Sequence, residues 1–139
     1  MPTKAYIAVY IGDPVDFTKY RHTALFFEFP SYSLLMHITG AQGFFEFQKQ
    51  EDYDPRNSRK LASLIKVDDI SDSFTPTSIE SIVSTTPIRN GRADRDWNCH
   101  NWVGEALNRL IEAGSLEFSK REAAVDKMID ICMEARHEE

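Results

Sequence analysis

Cys99 is the residue whose setting most invites chemistry. It follows Asp96-Trp97-Asn98, and Asn98 (or Asp96) is a good N-cap, so the thiol falls in the first turn of a helix. Unpaired N–H groups and the positive end of the helix dipole favour a thiolate there over a thiol. The same N–H groups suit an oxyanion formed when a thiolate attacks a carbonyl. Trp102, Val103, Ala106 and Leu107 continue one apolar stripe from Cys99, which directs its side chain towards the rest of the fold. A cysteine so placed needs a base on facing strands, and His22 and His37 stand on the two candidate strands. If the connection from Phe29 to Tyr32 is a hairpin with a two- or four-residue loop, Ala24 faces His37 and His22 faces Thr39. The imidazoles then become diagonal neighbours on one face, within roughly 7–8 Å at the backbone. One can deprotonate the thiol while the other orients it. An odd loop would put them on opposite faces. Pro30 does not suit the tight primed turns, which favours the four-residue loop.

The elements that must hold these groups divide the chain in two. Up to about Lys66 the pattern is strand-like: Ala5–Ile11, closed by Gly12-Asp13-Pro14, then His22–Phe29, Tyr32–Thr39 and Gly43–Gln48, with Leu61–Val67 as a candidate fifth. The middle two runs are apolar on both parities, as central strands covered on both faces should be. From Asp68 onward helical signals take over. Thr75-Pro76 opens a short capped helix that ends near Thr86-Pro87. Ile88–Asp96 is a polar loop turning at Asn90-Gly91. The main helix spans Cys99–Ala113 and stops at Gly114. A last helix over about Ser119–Arg136 carries Ala124, Val125, Met128, Ile129 and Cys132 on one face. The expectation is an α+β fold, an antiparallel sheet of about four to six strands packed against helices. A single domain over 1–139 is expected, sheet-rich over about 1–67 and helical over about 68–139.

Three segments resemble the circularly permuted papain-like proteins of the NlpC and lecithin–retinol acyltransferase group. Arg21-His22-Thr23-Ala24-Leu25-Phe26-Phe27 is similar to their first histidine strand, usually His-Trp-Ala-Leu-Tyr. Leu34-Leu35-Met36-His37-Ile38 resembles their second, and Asn98-Cys99-His100-Asn101-Trp102-Val103 resembles their Asn-Cys-Glu-His-Phe-Val helix start. The order, histidine strands first and cysteine helix later, is that of the permuted branch, and the resemblance covers about residues 20–110. It implies Cys99 as nucleophile, His22 as base and His37 as the group orienting it. The implied activity is hydrolysis or transfer at an amide or (thio)ester bond through an acyl-thioester. Thr23 replaces the usual Trp, and His100-Asn101 stands where Glu-His is common. No C-terminal hydrophobic anchor follows, which argues against a membrane-resident lipid acyltransferase.

Each assignment has a structural competitor. Cysteine is among the most buried residue types, so Cys99 can be packing, His37 a hydrogen-bonded core histidine and His22 a solvent-edge one. A site that has lost its chemistry would leave a binding module on the same fold. Cys132, inside the last helix's stripe, reads as core. His100 points about 100° around the helix from Cys99 and is expected at the surface or site rim. Trp97, Asn98 and Trp102 join it as candidate rim residues, and Arg92 and Arg95 are candidates for a cationic rim that would meet a carboxylate. His137 lies in a charged tail. Glu51 to Asp54 and Asp68-Asp69 lack calcium-loop spacing. Two histidines and one cysteine can hold zinc with a water, a reading that ranks below the thiol.

Composition sets the outer bounds. The 139 residues include 16 basic and 22 acidic side chains, a net charge of −6, which argues against a phosphate-tracking nucleic-acid binder. Hydrophobic residues at 42% and charged residues at 27% are ordinary globular usage, enough for a core. Two cysteines exclude a disulfide framework. No run approaches the roughly 18 apolar residues of a membrane helix, and no secretory signal is apparent, so a cytoplasmic location is expected. No nucleotide, flavin or nicotinamide motif is present and no cofactor is expected. The expected partner is a small-molecule, peptide or lipid-like acyl substrate.

Overall fold

The computed structural model describes residues 2–12 and 21–135. The expected turn at Asp13-Pro14 and the tail histidine His137 lie outside the described residues, whereas the last helix ends at Met133, short of the expected Arg136, with Glu134 as its C-cap. Five strands, β1 (Thr3–Tyr10), β2 (His22–Glu28), β3 (Ser33–Thr39), β4 (Glu46–Glu51) and β5 (Leu61–Ile70), form one antiparallel sheet in the order β4-β3-β2-β1-β5. Three helices follow: α1 (Pro76–Ser84), α2 (Cys99–Glu112) and α3 (Phe118–Met133). The α+β class with an antiparallel sheet and helices is the one the sequence predicts.

The hairpin register is the expected one. Leu25 pairs with Met36, Phe26 with Leu35 and Glu28 with Ser33, and the Phe29 N–H donates to the Tyr32 carbonyl at 2.8 Å. Pro30 and Ser31 therefore occupy the tip, where a proline forgoes no ladder bond. β4 differs from expectation. It begins at Glu46, not Gly43, and runs on to Glu51. Gly40 and Gly43 both take positive φ, and the Phe44 N–H bonds back to the Ala41 carbonyl, so residues 40–44 form a turn. Asn90 then takes both backbone groups of Phe45, accepting from its N–H at 2.9 Å and donating to its carbonyl at 3.1 Å. With those groups occupied, pairing to β3 starts one residue later, at Thr39 and Glu46.

The core fills the face under the helices. Ile7, Val9, Leu25, Phe27, Leu34, Met36 and Ile38 meet Trp102, Val103, Ala106, Leu107 and Leu110 of α2 and Ala124 and Met128 of α3. β2 is buried on both parities, as expected, yet among the described residues no α-helix covers its second face. Ala8, Ala24, Phe26 and Leu35 are sealed there by Tyr6, Tyr10, Tyr53, Leu61 and Leu64, with the Arg56 guanidinium 5.4 Å over the Tyr6 ring. Helix ends follow local chemistry. Thr75 caps α1 by accepting from the Ser78 N–H, with Pro76 in the first turn. Gly114, at φ +85°, closes α2 in a Schellman motif: Ser115 N–H to Leu110 O and Gly114 N–H to Ile111 O.

Candidate functional site

The start of β2, the end of β3 and the N-terminus of α2 converge at one end of the sheet. Asn98 is the N-cap of α2, as expected. Its side chain accepts from the His100 N–H at 2.9 Å, and the Asn101 side chain accepts from the Asn98 N–H at 3.0 Å, completing a capping box. The sequence led us to expect unpaired first-turn amides; the box instead occupies those of His100 and Asn101. Cys99 sits behind this cap at 8% exposure, its Sγ 3.9 Å from the Arg21 carbonyl oxygen.

His22 and His37 are brought together. His22 Nε2 and His37 Nδ1 are 2.6 Å apart, with ring centroids 4.9 Å apart in an edge-on arrangement. At that separation one nitrogen donates and the other accepts. The bond occupies Nε2 of His22, leaving Nδ1 as the ring nitrogen open to a thiol. The Tyr10 ring, paired across the sheet, packs 6.0 Å from the His22 ring. Alternation puts His22 with Ala24 and Phe26, and His37 with Leu35, on the sheet face away from the helices. The expected direct facing of Cys99 and the strands is therefore replaced by a meeting around the sheet's end. It is possible because His22 is the first residue of β2 and its neighbour Arg21 supplies the carbonyl that touches Cys99.

His100 differs from its expected place at the rim. Its ring turns inward, with Nε2 2.7 Å from the Arg21 carbonyl oxygen and 3.6 Å from Cys132 Sγ. Cys132 is buried, as expected, and it also packs on an imidazole. The Arg21 side chain, buried beneath the last turn of α3, donates to the carbonyls of Ile131 at 2.9 Å and Glu134 at 3.4 Å. Neither contact has a local sequence signal; both depend on how α3 crosses α2.

Electrostatics separates these groups. Burial pushes the Cys99 thiol up, but the His100 and His22 imidazoles beside it prevail and hold its pKa well below the ordinary value. Burial, helped by the charge of His22, pushes His37 down to about 4, so His37 is neutral at ordinary pH. Burial also pushes His100 down, but contact with the sulfurs of Cys132 and Cys99 outweighs it and raises the pKa.

The remaining predicted residues have simpler places. Trp102 is fully buried against Phe47 and belongs to the core, not the rim. Trp97 packs edge-on to Phe45, its carbonyl accepting from Gln42 Nε2 at 2.8 Å. Arg92 and Arg95 are exposed, and among the described residues neither holds a hydrogen bond or ion pair. A groove between α2 and α3 is lined by Asn98, His100, Asn101, Gly104, Arg121 and Met128, among others. Among the described residues no group of three or more His, Cys, Asp or Glu is set to hold a metal ion. Asp54 caps a short 3-10 turn and Asp69 pairs with Lys66, so these acidic residues serve local structure.

Fold and site together define an α+β protein with a cysteine at a helix N-terminus beside a hydrogen-bonded pair of histidines. The chain belongs to a family of unknown function, DUF6540, whose model matches residues 6–117. No curated protein and no solved structure matches it. No described helix is long and apolar enough to cross a membrane.

Proposed function

We propose that this protein is a cysteine-dependent hydrolase or acyltransferase acting on an amide or (thio)ester bond. The observation that carries the reading is the 2.6 Å His22–His37 bond at the sheet end where Cys99 begins α2. The order of the parts, two histidine strands and then a cysteine helix, supports kinship with the permuted papain-like proteins that the motifs resemble. In this reading the Cys99 thiol gives its proton to His22 Nδ1, and the sulfur attacks the acyl carbon. The oxyanion takes the N–H of Cys99 itself, since the capping box occupies those of His100 and Asn101. His22 returns its proton to the leaving group, and water or a second nucleophile resolves the thioester. His37, neutral, positions His22. The substrate is a small-molecule, peptide or lipid-like acyl compound, and the free thiols of Cys99 and Cys132 suit a reducing compartment such as the cytoplasm.

The low exposure of Cys99 favours one other reading, a binding module on the same fold whose site no longer turns over. An activated p-nitrophenyl ester separates the two. The enzyme reading expects p-nitrophenol release and an acyl adduct located on Cys99 by mass spectrometry. The adduct should be absent in Cys99→Ser, and turnover should fall by roughly 10²–10⁴-fold in His22→Ala. Absence of the adduct, or indifference to His22, would leave the binding module.

A further inference from the structure

We infer that His100 is a positioning residue, a fixed hydrogen-bond donor whose positive charge holds Cys99 as a thiolate while His22 alone carries the proton. The inference rests on the thiol-enzyme reading and assigns separate work to the two imidazoles that flank its nucleophile. The Arg21 carbonyl can only accept, so a 2.7 Å contact to it requires His100 Nε2 to bear hydrogen. That nitrogen is closed as a base. Its other close neighbour is Cys132 Sγ at 3.6 Å, also an electron-rich atom. The backbone of His100 is fixed as well, its N–H held by the Asn98 cap at 2.9 Å. His22 is the opposite case: its Nε2 is taken by another imidazole and its Nδ1 is left open.

The surroundings of His100 favour a cation. Cys99 from α2 and Cys132 from α3 present sulfur, and the segment before β2 presents a carbonyl oxygen. The Arg21 guanidinium is engaged with carbonyls at the end of α3. Asp96, Glu105 and Arg121 share the groove that His100 lines, and His37 and Tyr10 stand behind His22. Through acylation the proton on His100 stays where it is. The S–H bond is broken towards His22 before substrate arrives, and in acylation the thiolate sulfur forms the S–C bond while the carbonyl π pair moves to oxygen. The bond to the leaving group then breaks as His22 surrenders its proton.

The thiolate's absorbance near 240 nm tests this, read across pH as the difference between each protein and its Cys99→Ser counterpart. In His100→Gln, which keeps a donor but loses the charge, the midpoint should rise by about one pH unit or more. That is tenfold or more in thiolate fraction at a given pH. His22→Gln should keep most of the absorbance while losing ester turnover. A second measurement needs no variant at His100: ring ¹⁵N shifts at neutral pH should show both nitrogens protonated in the wild-type protein and only Nε2 protonated in Cys99→Ser. An unmoved midpoint in His100→Gln, or a neutral His100 ring in the wild type, overturns the assignment. A thiolate that vanishes with His22 and ignores His100 overturns it while sparing the enzyme reading. A wild-type protein with neither Cys99 thiolate nor ester turnover overturns both.

Discussion

His37 and His100 are both substantially buried imidazoles at one end of the same sheet, yet their pKa values move in opposite directions. His37 is pushed down to about 4, and its hydrogen-bonding neighbour is another imidazole. His100 is raised, and its neighbours are a carbonyl oxygen and two sulfurs. Burial opposes the charged form in both places, so burial is not what distinguishes them. What differs is the charge the neighbour brings: His22 adds positive charge beside His37, whereas sulfur beside His100 brings negative charge. The histidine pair at the ends of β2 and β3 is suited to moving one proton. The α2–α3 corner is suited to keeping one.

The largest effect that would break this contrast concerns the two cysteines. Cys99 lies at a helix N-terminus, where the dipole favours an anion, and Cys132 near the other end of a different helix. Both are nearly inaccessible, so exposure does not separate them. Alkylation near neutral pH should label Cys99 faster than Cys132 by on the order of a hundredfold, read residue by residue by mass spectrometry. Equal rates would mean that both thiols wait for the fold to open, and the contrast between the two corners would have no chemical consequence.

Arg21 gives the next largest effect, because its two halves serve different corners. Its carbonyl meets His100, and its guanidinium holds the end of α3. Arg21→Met retains the carbonyl and much of the buried stem. Losing charge-assisted bonds to two carbonyls should cost about 2–3 kcal/mol in denaturant unfolding. The pH midpoint of Cys99 alkylation should hardly move. A midpoint that moves with the side chain would mean that the placement of α3, not the Arg21 carbonyl, maintains the His100 site.

Much of the histidine pair was legible in the sequence, and almost none of the His100 corner was. Pro30-Ser31 at a hairpin tip fixes the pairing of β2 with β3, and the two-residue period then puts His22 and His37 on one face. A capping residue followed by an apolar stripe places Cys99. These are local signals with rigid consequences. The face carrying the histidines was not legible, since β2 is apolar on both parities and tyrosines cover one side of it. The start of β4 was displaced by Asn90, forty-five residues away from the Phe45 backbone it occupies. His100 was misplaced for a related reason. Its angle around α2 is computable from sequence, but the concavity made by α3 and the Arg21 carbonyl is tertiary, and it turns a rim position inward.

A third prediction concerns acid stability and has a definite sign. The His37 pKa lies below the usual 6.5, so the unfolded chain binds a proton there before the folded one does. The associated stability is fully present above about pH 6.5 and is lost as pH falls towards about 4. Unfolding midpoints in urea should decline over that window, and His37→Gln should flatten the decline. If the slope is unchanged, His37 is not the group that stays neutral, and the proton-moving corner has to be redrawn around His22 alone.

The smallest effect separates the helix cap from the charge it sits beside. Asn98→Ala removes the oxygen that holds the His100 amide and should cost about 1 kcal/mol. Asn98→Asp keeps an equally good cap and suits the helix dipole, so stability should hold or rise slightly. It also brings a negative charge to the residue preceding Cys99, which opposes a thiolate and should raise the alkylation midpoint by a few tenths of a pH unit at low salt. Added salt should shrink that shift, because Asn98 is only half-buried. A midpoint that ignores the aspartate at every ionic strength would show that the bulk of α2 contributes nothing to Cys99, leaving the imidazoles as its whole electrostatic environment. A midpoint that moves by a full unit would show the reverse, and would reduce His100 from the main cation of the site to one contributor among several.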